Sequence, residues 1–113
     1  MKRWVVATAV TLAAPSPLAA QGKGIRFWNL TTSTVSGLQL SPAGKNAWGP
    51  NQTSNDKDNE VDHDERLRIT GIEPGRFDVK ISYRDKRECV VRDVDIRADA
   101  VFSIADKDLT ECN

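Results

Sequence analysis

The stretch Asn55-Asp56-Lys57-Asp58-Asn59-Glu60-Val61-Asp62-His63-Asp64-Glu65 places six carboxylates within ten residues. Charges packed this densely repel one another unless water screens them or a cation neutralises them. Calcium takes about six to eight oxygen ligands on a tight loop. Acids alternating at Asp56, Asp58, Glu60, Asp62 and Asp64 could turn several oxygens towards one such ion. The competing expectation is a solvated acidic loop between strands.

Other chemistries find less support. His63 is the only histidine and sits among carboxylates rather than beside a nucleophile. There is no Gly-x-Ser-x-Gly elbow, phosphate-binding glycine loop or His-Glu-x-x-His metal helix. Two carboxylates can cleave a glycosidic bond, but at this acid density chance pairs are certain, so a small hydrolase ranks third. Trp28 and Trp48 are candidate partner contacts. Trp28 takes the opposite strand parity from Phe27, and Trp48 lies in a Gly/Pro-rich loop where it either meets a partner or caps the core. The sequons Asn29-Leu30-Thr31 and Asn51-Gln52-Thr53 would matter only on a eukaryotic secretory route.

The N-terminus reads as a secretory signal peptide over residues 1–20. Lys2 and Arg3 precede an apolar stretch from Trp4 to Ala14, then Pro15-Ser16-Pro17 and the small-residue site Leu18-Ala19-Ala20. That apolar stretch is well short of the roughly 20 residues needed to span a bilayer. Cleavage after Ala20 turns an even balance of 16 basic and 16 acidic side chains into a formal charge of −2. Export to the periplasm, or otherwise to the extracellular space, then gives Cys89 and Cys112 their meaning as a structural disulfide. No Cys-x-x-Cys pair points to redox work, and two cysteines with one distant histidine do not make a zinc set.

These residues need a scaffold, and the pattern is one of strands. Phe77, Val79, Ile81 and Tyr83 alternate with Arg76, Asp78, Lys80 and Ser82. Leu67 and Ile69 alternate with Arg66, Arg68 and Thr70, and Pro74-Gly75 is a turn signal between the two runs. In Glu88–Ile96 the apolar parity switches near Arg92-Asp93, which predicts a β-bulge. Ile25–Leu30, Val35–Leu40 and Val101–Ile104 complete the series, with Ser41–Gln52 as loop. The expectation is all-β: a small antiparallel β-sandwich of six to seven strands over residues 21–113, with an acidic loop at 51–65.

Two resemblances follow. The run Leu67-Arg-Ile-Thr-Gly-Ile-Glu-Pro-Gly-Arg-Phe-Asp-Val-Lys-Ile81, with Val91–Ile96 and Val101–Ile104, resembles the prealbumin-like, carboxypeptidase-regulatory type of β-sandwich. The wider pattern from Asn29-Leu30-Thr31 through Leu40-Ser-Pro-Ala-Gly-Lys45 and Trp48-Gly49 is similar to a set of small exported bacterial proteins of unknown function, and carries no catalytic residues across. The acidic run resembles thrombospondin type-3 and EF-hand-like calcium loops. It departs from the EF pattern at Val61, where that loop needs glycine, and at Leu67, where it needs a bidentate Glu.

The expected function is a non-enzymatic exported binding protein with a protein or cell-envelope partner. A calcium-stabilised module is the alternative. Nucleic acid is not expected, nor is a membrane span after cleavage. Charge is unevenly spread: residues 45–65 carry −4 and residues 66–97 carry +3. An acidic loop beside a basic sheet, with Arg66, Arg68, Arg76 and Lys80 opposite the core, is therefore the feature to look for.

Overall fold

The computed structural model describes residues 22–113; the signal peptide expected over residues 1–20 lies outside them. Seven strands form two sheets: β1 (Arg26–Leu30), β2 (Val35–Pro42), β3 (Arg66–Arg68), β4 (Gly75–Tyr83), β5 (Glu88–Ile96), β6 (Val101–Ala105) and β7 (Glu111–Cys112). A three-stranded sheet runs β3-β1-β6 and a four-stranded sheet runs β2-β4-β5-β7. The all-β sandwich is as expected. Antiparallel pairing holds for every strand pair except β1–β6, which is parallel. No hairpin links β1 to β6, so no tight turn dictates their relative direction.

Alternation builds the core. Phe27, Leu67, Phe102 and Ile104 face inward from the three-stranded sheet, and Leu38, Val79, Ile81 and Ile96 meet them from the other. Phe27 and Phe102, paired in the β1–β6 register, bring their ring centroids to 5.6 Å. The bulge falls where the sequence places it: Phe77 pairs with Val94 and Val79 with Val91, so Arg92 and Asp93 together oppose Asp78. Asp93 adopts φ 56°, a conformation that short polar side chains tolerate.

The free edge of β2 is covered by the loop that follows it. Gly49 N–H donates to the Leu40 carbonyl (2.9 Å), Asn51 Oδ1 accepts from Leu38 N–H (2.9 Å), and Thr53 Oγ1 donates to the Ser36 carbonyl (3.3 Å). A 3-10 turn at Gln52–Asn55 then ties this edge to the opposite sheet. Gln52 exchanges two bonds with the Thr70 backbone, and Asn55 Nδ2 donates to the Arg68 carbonyl (2.8 Å). Side-chain amides thus occupy strand edges that would otherwise invite intermolecular pairing.

Cys89 and Cys112 are disulfide-bonded and directly opposed in the β5–β7 register. Closing a loop of this length removes about 3 kcal/mol of chain entropy from the unfolded state. In a domain that buries only about 60 to 65% of its unfolded surface, that is a substantial share of the total.

Candidate functional site

The acidic loop is ordered by its own carboxylates. Asp56 Oδ2 accepts from Asp58 N–H (2.7 Å), and Glu65 Oε1 from Asp62 N–H (2.9 Å). Asp62 Oδ1 accepts from the Thr34 hydroxyl (2.9 Å), and Asp64 Oδ1 from the Trp28 indole N–H (3.0 Å). Glu60 forms a two-pronged ion pair with Arg84, Nε to Oε2 at 2.6 Å. Val61 turns inward, is buried, and exchanges backbone bonds with Val35. Among the described residues, no three Asp, Glu, His or Cys side chains come together as a metal-holding group. Asp56, Glu60, Asp62 and Asp64 each accept from a different donor, and Asp58 takes part through its backbone N–H to Asp56. Asn59 (φ 58°) and Asp64 (φ 71°) interrupt the extended backbone that would have kept the acids on one side.

His63 presents Nδ1 to the Thr31 carbonyl at 2.8 Å. That contact belongs to a buried polar cluster absent from the sequence reading. Asn29 Nδ2 donates to the carbonyls of Val61 (2.9 Å) and Ser33 (3.0 Å), and its Oδ1 accepts from the Thr31 amide (3.0 Å) and hydroxyl (2.6 Å). The Tyr83 hydroxyl donates to Thr31 Oγ1 (3.2 Å). Burial raises the Tyr83 phenol above its ordinary value, which keeps it a donor. The Asn29 sequon is consequently closed to glycosylation in the folded chain, since Asn29 has no exposed surface and all its hydrogen-bonding positions are filled.

The two tryptophans lie on opposite outer faces. Trp28, half-buried, stacks under the Arg66 guanidinium at 4.2 Å from the ring centroid. Trp48, also half-buried, lies beneath Lys80 Nζ at 4.5 Å and outside the core cluster, so it does not cap the core. Such stacking fixes a flexible cation over an aromatic face. The basic side chains do not form one surface. Arg66 and Arg68 project from β3, whereas Arg76 and Lys80 project from β4 in the other sheet, because the turn at Pro74-Gly75 carries the chain across the sandwich.

A predominantly apolar concavity was not foreseen. It is an open cleft of about 540 Å³ at one end of the sandwich, between the end of β2, the start of β4 and the 70–75 turn. Leu40, Pro42, Ile72, Pro74 and Phe77 make it predominantly apolar, while Gln52 and Thr70, already bonded to each other, line one wall. The prolines and glycines that mark this region as turn also keep it from closing over the core, a signal readable only once β2 and β4 are known to pair. No family model, curated protein or solved structure matches the chain. The cleft, the acidic loop and the two outer faces therefore stand on their own chemistry. Among the described residues, no helix is long and apolar enough to cross a membrane.

Proposed function

We propose that the protein is an exported, non-enzymatic binding module that engages a protein or cell-envelope partner through the cleft at the end of the sandwich. The observation that carries this reading is the cleft itself. A concavity of this size with apolar walls and a few fixed polar groups is the usual form of a binding site. The disulfide supports an oxidising destination, and His63, tied to a backbone carbonyl, is not poised against a nucleophile. Trp48, on the loop that also contributes Ala47, Gly49 and Pro50 to the cleft, is the nearer of the two candidate partner contacts.

Ile72, only partly buried, tests the proposal. Ile72→Glu places a charge in the apolar wall and is expected to weaken binding of the neutral dye Nile red by about tenfold, roughly 1.4 kcal/mol. It should also abolish capture of the partner that the unaltered protein retains from envelope extract. Equal dye binding and equal capture by both proteins would remove the cleft from the function.

Calcium held by Asp56, Asp58, Glu60, Asp62 and Asp64 is the alternative reading. It requires Glu60 to leave Arg84 and Asp62 to leave Thr34. The expected result is the same melting midpoint in millimolar calcium as in chelator. A rise with calcium would favour the metal, because a ligand that binds the folded state stabilises it.

A further inference from the structure

Five basic side chains of the described residues form ion pairs: Arg76 with Asp93, Arg84 with Glu60, Arg92 with Asp78 and Glu111, Arg97 with Asp95, and Lys107 with Asp108. Lys23, Arg26 and Arg68 are among the remaining basic side chains and are set apart by their grouping. Among the described residues none of the three has a carboxylate within ion-pairing distance, and together with Gly22 and Gly24 they border one open depression of about 600 Å³. Arg26 and Arg68 are direct neighbours in the β1–β3 register. Like charges opposed across two strands work against the pairing.

The arrangement is held in place nonetheless. Arg26 Nε donates to the Gly24 carbonyl (3.2 Å) and its Nη2 to the Asp99 carbonyl (3.3 Å). Both acceptors are neutral, so they aim the guanidinium without discharging it. Asp99, an acid beside Gly24, turns its Oδ1 to the Gly24 amide (3.0 Å) instead. The close approach at Gly22 matters here: a Cβ at that position would lie 2.3 Å from the Asp99 carboxyl carbon. Glycine at position 22 therefore leaves room for Asp99 to reach the Gly24 amide.

We propose that this depression is an oxyanion site and that its ligand is a phosphate group. Arginine's planar fork suits paired oxygens, and lysine contributes a compact third charge. Two guanidiniums and one ammonium match a phosphate monoester better than a single carboxylate, which would leave two charges unanswered. The site lies on the three-stranded sheet and does not depend on the cleft.

The test is an NMR titration of the protein with inorganic phosphate, at constant ionic strength against chloride. Saturable shifts are expected at the amides of Lys23, Gly24, Arg26 and Arg68. Arg68→Gln should weaken phosphate binding at least tenfold, whereas Arg84→Gln, in an ion pair elsewhere, should leave it unchanged. Phosphate should raise the melting midpoint of the unaltered protein but not of Arg68→Gln, and that variant should melt no lower than the parent in chloride. Sedimentation with phosphatidic acid vesicles, against phosphatidylcholine, distinguishes sources: retention assigns a lipid headgroup, and phosphate binding without retention assigns a soluble phosphate ester. Shifts equal to those in chloride, or an Arg68→Gln titration identical to the parent, would overturn the site.

Discussion

Asn29→Leu is expected to destabilise the domain by about 3 kcal/mol, read from denaturant midpoints at neutral pH. Leucine keeps asparagine's branching and heavy-atom count but is bulkier, so some overpacking adds to the loss of hydrogen bonding. The largest loss falls on Thr31, whose buried amide has Asn29 Oδ1 as its acceptor. An orphaned buried N–H costs about 1–3 kcal/mol. The remaining partners lose less, because the Val61 carbonyl keeps the Val35 amide and the Thr31 hydroxyl can swing fully to the Ser33 carbonyl. The effect should reach the acidic loop, since Asn29 bonds to Val61 at its centre and Asp64 N–H donates to the Asn29 carbonyl. Hydrogen exchange at Val61 should therefore accelerate more than at Ile81, deep in the four-stranded sheet. A loss below about 1 kcal/mol would mean that water takes over the amide's role.

That buried amide also marks where local pattern stops informing. The alternation of Phe77, Val79, Ile81 and Tyr83 is a property of neighbours along one strand, and it reads directly from the chain. So does the parity switch at Arg92-Asp93. Asn29 shares the inward parity of Phe27, yet a polar residue there reads as an interruption until Val61, 32 positions later, is seen to need a donor. The parallel pairing of β1 with β6 is equally remote in sequence, and no turn announces it. Alternating acids suggest convergence only if the loop stays extended; positive φ at Asn59 and Asp64, with Val61 drawn into the core, disperses them. Arg66, Arg68, Arg76 and Lys80 share a parity but not a sheet, and only the crossing at Pro74-Gly75 separates them. The cleft and the Lys23–Arg26–Arg68 depression are assembled from distant segments, so neither leaves a motif.

Asp78→Asn is expected to cost about 2–3 kcal/mol at pH 7 and to flatten the acid limb of the stability curve. Strand parity puts Asp78 on the solvent side of β4, but its side chain is only 2% exposed. The β5 bulge and the loop after β2 close over it. Its Oδ1 accepts from Asp93 N–H (3.0 Å), and its Oδ2 from Gly44 N–H (2.9 Å) and Arg92 Nη1 (3.3 Å). Burial alone would favour the protonated acid; the Gly44 and Asp93 amides, with Arg92, outweigh it and hold the carboxyl below its ordinary value of 3.8. A carboxyl group lowered on folding binds its proton more readily in the unfolded chain. Its contribution is therefore complete above the unfolded value and declines as pH falls from about 4 through the folded value. An amide at this position cannot accept at both oxygens, so it gives up part of the bonding at every pH and has no proton to gain. Between pH 4 and pH 2 the parent should lose stability more steeply than Asp78→Asn, by up to about 1.4 kcal/mol per pH unit, the limit for one proton. Arg92 limits the cost at neutral pH, because it is half-exposed and keeps Glu111 as a partner when Asp78 is neutralised. Parallel acid limbs for the two proteins would show that the bulge is held by its backbone alone and that the Asp78 charge contributes nothing to it.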